Sequence, residues 1–314
     1  MAYLKLVRPL NLLLILFTQY MVRFAFLYPI LRYAGFSLQL NEAVFAVFSL
    51  AFVFMAAGGY IINDYYDVAI DKVNKPEKVI IGNQIEPSTA LVLYWIFSLL
   101  GLVMGCFASY LCGLPALCTI FFIYFSGLWF YSTNLKYQFL AGNIVVAFFL
   151  ALVPLTAGIV ELYADNKLPA FRHSSLDPIL IFFGIAAISL FAFLSSLARE
   201  IVKDMEDVEG DKVSGCRTVP IVMGNLAAKR ITQFFLLIMF FLLCYLQFQQ
   251  WKVNDMKSFI YITCFIQVPL IFIIAMVNKG KSSNDFHRIS KGLKALMVSG
   301  ISYLFVFAHI YLTQ

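Results

Sequence analysis

Residues 63–71 read Asn63-Asp64-Tyr65-Tyr66-Asp67-Val68-Ala69-Ile70-Asp71, and residues 203–211 read Lys203-Asp204-Met205-Glu206-Asp207-Val208-Glu209-Gly210-Asp211. We call them the first and the second acidic motif. Each motif places aspartates at positions i, i+3 and i+7. A helix turns by about 100° per residue, so these three positions fall within roughly 60° of arc. If helical, each motif is therefore one carboxylate face. A solvated helix face would not need the same spacing twice in a chain with 17 acidic residues among 314.

The composition indicates a protein that is largely embedded in lipid. Of its residues 62% are hydrophobic and 13% are charged, against about 45–50% and about 25% in soluble domains. The mean hydropathy is +0.85. The net charge of +6 suits an anionic membrane surface or an anionic substrate. No basic patch interleaved with aromatic residues occurs, so nucleic acid is not an expected partner, and nothing implies a protein partner.

Apolar runs of about 20 residues are long enough to cross a bilayer as helices, and we count nine of them. The predicted spans are 9–31, 43–63, 88–109, 112–131, 141–161, 178–198, 230–249, 258–277 and 293–312. The first run is long and lacks a small-residue cleavage site, which favours a mature transmembrane helix over a signal peptide. We therefore expect an all-α, multi-pass membrane protein with one domain, residues 1–314.

The distribution of lysine and arginine predicts the orientation. With the N-terminus in the cytoplasm, cytoplasmic segments hold 17 of the 23 basic residues and the opposite side holds 5, with Arg23 inside the first span. The acidic motifs follow the second and the sixth span, so both emerge on the cytoplasmic side. We expect them to converge over a shared cavity.

Clustered aspartates beside an asparagine offer the hard oxygen ligands that Mg²⁺ prefers, together with substrate phosphate oxygens. Bound metal would turn a site that repels anions into one that attracts a diphosphate. The motifs do not fit an EF-hand loop. A proton relay in an ion-coupled transporter is a closer alternative, but relay acids usually lie singly at mid-membrane depth. A lipid-binding scaffold without catalysis would not need the aspartates.

Basic side chains flank the motifs and are candidates for contacting diphosphate oxygens. Lys203 occupies the helical position that Asn63 holds in the first motif, and Arg199 precedes it by one turn. Lys136 ends the fourth span and Arg8 begins the first. The alternative is that these residues are interfacial anchors. Tyr131 is the candidate aromatic residue for stabilising an allylic cation.

Two further expectations concern residues away from the motifs. Arg23 and Gln19 share a face of the first span, and we expect Arg23 to reach outward to the interface with Arg32; the alternative is that it meets an anionic group in the cavity. No two cysteines form a CxxC pair, and five of the six lie in apolar runs; they are interpreted as core or lipid-facing residues without disulfides or metal. The cysteines are Cys106, Cys112, Cys118, Cys216, Cys244 and Cys264.

The sequence resembles the UbiA superfamily of intramembrane prenyltransferases over nearly its whole length. The first acidic motif is similar to that family's NDxxDxxxD motif, and residues 204–211 are similar to its DxxDxxxD motif. Residues 74–77, 131–132 with 135–136, and 142–143 resemble its secondary signatures, while Lys78-Val79 departs from a common Arg-Pro. The resemblance implies nine helices around a central cavity open to lipid, and Mg²⁺-dependent transfer of a prenyl group from an allylic diphosphate to a lipophilic acceptor.

The resemblance also gives the expected roles of the site residues. The metal-binding and catalytic candidates are Asp64, Asp67, Asp71, Asp204, Asp207 and Asp211, with Tyr131 as a further catalytic candidate. The substrate-binding candidates are Asn63, Lys203, Arg199, Lys136, Arg8 and Asn11.

The run from Arg199 to Asp211 is most similar to the members that transfer geranylgeranyl to the free hydroxyl of geranylgeranylglyceryl phosphate. Prenylation of an aromatic acceptor of the quinone, tocopherol or chlorophyll type is the alternative. A phosphate on the acceptor would require further cations, for which Arg217 and Lys212 are candidates.

Overall fold

The computed structural model describes residues 2–172 and 176–313, and this part of the chain folds into α-helices. Nine of its helices are long and apolar enough to cross a membrane. They are α1 Pro9–Tyr33, α2 Glu42–Asn74, α3 Pro87–Leu111, α4 Pro115–Thr133, α5 Ala141–Asp165, α6 Pro178–Glu206, α7 Val219–Lys252, α8 Met256–Lys279 and α9 Ser283–Thr313. The predicted fold class and all nine predicted spans are confirmed.

Local sequence signals explain where many of these helices begin. Several start with proline, which has no amide hydrogen to lose in the first turn. Asn41 caps α2 by accepting a hydrogen bond from the Ala43 amide at 2.8 Å, and Asp177 caps α6 in the same way from the Ile179 amide at 2.8 Å. These caps satisfy amides that the helices leave unpaired.

Helix α2 continues beyond its apolar run and includes the whole first acidic motif, so this motif is one helical carboxylate face as predicted. Its last residue is Asn74, and Pro76 follows in a 3₁₀ turn because proline cannot continue the helix.

The second acidic motif is not one continuous helix, which corrects the prediction. Helix α6 ends at Glu206, Asp207 takes φ −105° and ψ 13°, and a separate short helix spans Val208–Val213. The Asn74 side chain holds this break, since it donates to the Asp207 carbonyl at 3.1 Å and accepts from the Gly210 amide at 2.8 Å. The break therefore results from a contact between two distant parts of the chain.

The helices pack as a ring. Helix α2 lies along α3, where Gly58 faces Ser98 and Gly101 faces the α2 backbone at Ala51. Helix α6 contacts α5, α7 and α9, and α1 contacts α2, α5 and α9. This arrangement carries the ends of α2 and α6, and with them the acidic motifs, to one end of the bundle.

Arg23 does not reach outward, so that expectation is wrong. Its side chain is 1% exposed and lies 3.0 Å from Glu161 and 3.1 Å from Glu42. It also donates to the Leu40 carbonyl at 2.6 Å and lies over the Phe45 ring at 4.4 Å. An arginine in an apolar helix is stable when it finds an interior carboxylate, and α5 supplies one.

The interpretation that no cysteine forms a disulfide is also wrong. Cys106 in α3 and Cys118 in α4 form a disulfide that joins the two helices beside their connecting turn. The pairing was not predictable from the spacing of 12 residues, because the turn between α3 and α4 brings the two cysteines together. Cys112, Cys216, Cys244 and Cys264 are free, as predicted.

We expect Arg23→Met to destabilise the fold by about 3–5 kcal/mol, because it leaves the fully buried Glu161 without its cation. Thermal unfolding of detergent-purified protein measures this effect. Replacing both partners, as Arg23→Met with Glu161→Leu, should restore much of the loss. Arg32→Met, which removes an exposed arginine from the same helix, is the matched control. Equal losses in the Arg23 and Arg32 variants would contradict the prediction.

Candidate active site

Two cavities in the part of the bundle that the structure describes bear on the predicted site. The acidic cavity, of about 510 Å³, lies at the end of the bundle where α2 and α6 finish. Its lining includes Lys5, Arg8, Asn63, Asp64, Asp67, Asp71, Lys75, Glu77, Tyr131, Lys136, Glu200, Lys203, Asp204, Asp207 and Asp211. The apolar cavity, of about 570 Å³, is lined mainly by aliphatic and aromatic side chains of α1, α5, α6, α7, α8 and α9.

All six motif aspartates line the acidic cavity, so the predicted convergence occurs. Most of them are paired with side chains from other elements. Arg8 bonds to Asp64, Lys136 lies 2.5 Å from Asp67, and Lys75 lies 2.7 Å from Asp207. These cations come from the start of α1, the end of α4 and the end of α2. The acidic cavity thus draws its positive charge from elements distant in sequence.

Amide side chains complete the pairing of two aspartates. Asn63 donates to Asp67 at 2.7 Å, and Asn143, near the start of α5, donates to Asp204 at 2.8 Å. The oxygen of the Asn63 side chain is buried without a hydrogen-bond partner. A buried carbonyl-type oxygen without a donor is an open position for a cation.

Negative charge exceeds positive charge in the acidic cavity. Of the described side chains, eight acidic and five basic ones line it. Burial raises the pKa of Asp211 to about 7, with repulsion by Asp207 and Asp67 adding to the shift and the attraction of Lys75 and Lys136 opposing it. The carboxylates are therefore under mutual repulsion that the protein's own cations do not cancel.

The donor set fits a divalent hard cation such as Mg²⁺ in its chemistry. The lining supplies carboxylate oxygens and the unpartnered Asn63 oxygen, which are the ligand types that Mg²⁺ takes. In the described residues no three such side chains already converge on one point, because the aspartates are paired with lysine, arginine and asparagine. Binding of a metal would therefore require the aspartates to exchange these partners for the metal, since the coordination site is not preformed.

The predicted substrate-binding residues divide between the two cavities. Arg8, Asn63, Lys136 and Lys203 line the acidic cavity with Tyr131, as expected. Arg199 and Asn11 line the apolar cavity instead. Substrate binding by all six residues stays a prediction.

Glu200 contacts two basic residues of α6, one helical turn apart, that line different cavities. Its buried carboxylate lies 3.2 Å from Arg199 and 2.9 Å from Lys203. Arg199 lines the apolar cavity and Lys203 the acidic one, so the Glu200 carboxylate joins the two basic side chains across the border between the cavities.

Sequence reasoning missed Glu200 and Lys294, and it named Asn74, Lys75 and Asn143 within family signatures without giving them a role in the site. Two signals were available for Glu200 and Lys294. Glu200 follows an apolar run and precedes Asp204 by four residues, which places it on the same helix face. Lys294 lies inside the predicted ninth span, where a charge usually marks a functional position.

Nine membrane-spanning helices with paired acidic motifs at one end define an intramembrane prenyltransferase. The UbiA prenyltransferase family matches residues 24–296, and the chain belongs to this family. It is therefore a prenyltransferase and an integral multi-pass membrane protein, and the transporter and scaffold alternatives are not supported.

Two relatives of similar length are named digeranylgeranylglyceryl phosphate synthase. The digeranylgeranylglyceryl phosphate synthase of Methanosphaera stadtmanae is 32% identical over 80% of this chain and 84% of its own length. That of Methanothermobacter thermautotrophicus is 30% identical over 94% of this chain and 92% of its own length.

Solved structures share the fold. A digeranylgeranylglyceryl phosphate synthase in membranes matches with a TM-score of 0.67 and 23% identity, over 98% of this chain and 97% of that chain. A UbiA homologue from Archaeoglobus fulgidus bound to DMAPP and Mg²⁺ matches with a TM-score of 0.59 and 18% identity, over 99% of this chain and 100% of that chain.

We expect Asn74→Ala to loosen the segment Val208–Val213, because it removes both hydrogen bonds that hold the break in the second motif. Gly210→Ala should have the same effect, since a Cβ there would collide with the Asn74 amide. Hydrogen–deuterium exchange should show faster exchange in residues 207–213. Asn83→Ala, at an exposed asparagine, is the control, and unchanged exchange in the Asn74 variant would refute this role.

Proposed function

We propose that this protein catalyses Mg²⁺-dependent transfer of a geranylgeranyl group from geranylgeranyl diphosphate to the free hydroxyl of geranylgeranylglyceryl phosphate, and that residues 1–314 form a single catalytic domain. The observation that carries the proposal is the convergence of six aspartates on one cavity beside a second, apolar cavity. The relatives named digeranylgeranylglyceryl phosphate synthase support the choice of donor and acceptor.

The proposed metal ligands are the six motif aspartates, with Asn63 supporting the first motif. Bound Mg²⁺ would neutralise the diphosphate and make it a better leaving group. Arg8, Lys136 and Lys203 line the same cavity and are proposed to donate hydrogen bonds to the diphosphate oxygens. Their present carboxylate partners keep them positioned within reach.

The reaction breaks the bond between the allylic carbon and the diphosphate oxygen, and the electron pair leaves with the diphosphate. The acceptor hydroxyl oxygen forms the new carbon–oxygen bond and loses its proton to a carboxylate of the acidic cavity. The ring of Tyr131, which lines that cavity, is proposed to stabilise the allylic cation. The apolar cavity keeps water from quenching the cation.

Asp64→Ala and Asp204→Ala should each reduce Mg²⁺-dependent transfer by about 100-fold or more, because each removes a proposed ligand that helps offset the charge of the diphosphate. Radiolabelled geranylgeranyl diphosphate and purified protein in lipid measure this loss. The control is Glu209→Ala, an exposed acid within the second motif that does not line the cavity.

Retained transfer in the two aspartate variants would refute the site. Mass spectrometry of the wild-type products, with the phosphorylated lipid and an aromatic acceptor offered together, tests the acceptor. Transfer to the aromatic compound alone would refute the proposed substrate.

The acidic cavity is proposed to face the cytoplasm. The bias of 17 to 5 basic residues supports this orientation. The Cys106–Cys118 disulfide lies beside the α3–α4 turn, at the opposite end of the bundle. Disulfides persist mainly in oxidising compartments, and this orientation places the bond near the cell exterior.

Cysteine labelling in intact cells tests the orientation. In a background without Cys264, a membrane-impermeant maleimide should label Lys257→Cys in the first turn of α8 and spare Lys281→Cys between α8 and α9. Both lysines are exposed in the structure, so permeabilised cells should label both variants equally. The reverse pattern in intact cells would overturn the orientation.

A further inference from the structure

The charges that line the apolar cavity are unbalanced. In the described part of the chain its only charged lining residues are Arg199 and Lys294, both basic. The acidic cavity beside it has the opposite excess, with more carboxylates than cations. A cavity with an apolar body and cations at one end is complementary to a ligand with an apolar chain and an anionic head.

Lys294 is the less neutralised of the two cations. Its ammonium donates to the side-chain oxygen of Asn11 at 2.6 Å, and no described carboxylate forms a salt bridge with it. Both cations line the same apolar cavity and are only partly exposed, and Arg199 repels Lys294 electrostatically. Such an arrangement is costly unless an anion compensates it.

Arg199 retains hydrogen-bonding capacity towards a ligand. One nitrogen of its guanidinium contacts Glu200 at 3.2 Å, while its Nε is buried without a hydrogen-bond partner. An unpaired buried donor is uncommon in a folded protein. A phosphate oxygen is a suitable acceptor for it, since arginine and phosphate form strong charge-assisted hydrogen bonds.

Most cations of the acidic cavity are paired with carboxylates. Arg8, Lys136 and Lys75 each have an aspartate partner, and Lys203 is paired with Glu200. The sequence-based candidates for the acceptor phosphate, Arg217 and Lys212, line neither cavity. In the described residues, the positive charge that borders the apolar cavity therefore lies at Arg199 and Lys294.

We propose that Arg199 and Lys294, with Asn11 orienting the lysine, bind the phosphate monoester of the lipid acceptor at the head of the apolar cavity. This inference rests on the proposed function and adds the residues that select a phosphorylated acceptor. The acceptor chain lies in the apolar cavity, whose volume of about 570 Å³ falls within the usual range of about 300–1,000 Å³ for ligand pockets. The donor diphosphate remains with the aspartates.

The test compares geranylgeranylglyceryl phosphate with the same lipid lacking the phosphate, at fixed geranylgeranyl diphosphate and Mg²⁺. Lys294→Met should raise the KM for the phosphorylated acceptor about 10- to 100-fold, the range expected for losing one hydrogen bond to a charged group. The KM for geranylgeranyl diphosphate and the rate with the dephosphorylated lipid should change less than about twofold. Lys294→Arg should recover most of the loss.

Lys291→Met is the matched control, because Lys291 is an exposed lysine on the same helix. A similar loss with both acceptors would overturn the proposal, as would a raised KM for geranylgeranyl diphosphate, which would place the donor at this pair. Inorganic phosphate should inhibit transfer to the phosphorylated lipid only weakly. Inhibition by phosphate at concentrations as low as the KM for this lipid would mean that the cavity does not bind the acceptor chain.

Direct binding separates this inference from the proposed reaction. Native mass spectrometry of the Asp64→Ala variant should show binding of the phosphorylated lipid that Lys294→Met weakens. If the wild-type enzyme transfers to neither lipid yet this binding difference is present, the proposed acceptor chemistry fails and the phosphate site stands. If transfer to the phosphorylated lipid occurs and Lys294→Met leaves both transfer and binding unchanged, the phosphate site fails alone.

Discussion

Electrostatic repulsion among buried carboxylates is the constraint on which the acidic end of this protein depends. Eight acidic side chains line one cavity of about 510 Å³, and in a poorly hydrated place each unpaired charge is costly. The fold reduces this cost by bringing Arg8, Lys75 and Lys136 from three separate elements to three aspartates. Five cations against eight acids leave negative charge that a metal ion can neutralise. The excess of carboxylates thus causes both the repulsion within the cavity and its proposed affinity for a metal-bound diphosphate.

The same charges separate the two cavities. Glu200 is bonded to Arg199 on the apolar side and to Lys203 on the acidic side, so a carboxylate between two cations stands where the cavities meet. One cavity carries excess negative charge and the other excess positive charge. In the reaction proposed here, this charge separation holds two anionic substrates apart, one by metal and one by basic side chains. Without this separation, two phosphorylated lipids would compete for one set of cations.

The sequence predicted the parts of the structure that local physics controls. All nine spans were predictable because a bilayer requires each crossing segment to satisfy its own backbone. The first acidic motif was predictable from its helical period. Arg23 was mispredicted because its partner Glu161 lies on another helix, and periodicity does not reveal tertiary pairing. That Arg199 and Asn11 line the apolar cavity was likewise not predictable, since periodicity does not reveal which cavity a side chain lines.

The break in the second motif shows why the two matched motifs adopt different structures. In a continuous helix, Asp211 would lie about 10 Å further along the axis than Asp204, beyond the end of the bundle. The turn at Asp207 and the bond between Asn74 and Gly210 direct the short helix back onto α2. Asp211 then lies near enough to Asp67 to repel it. One straight motif and one folded motif thus bring all six aspartates to one cavity.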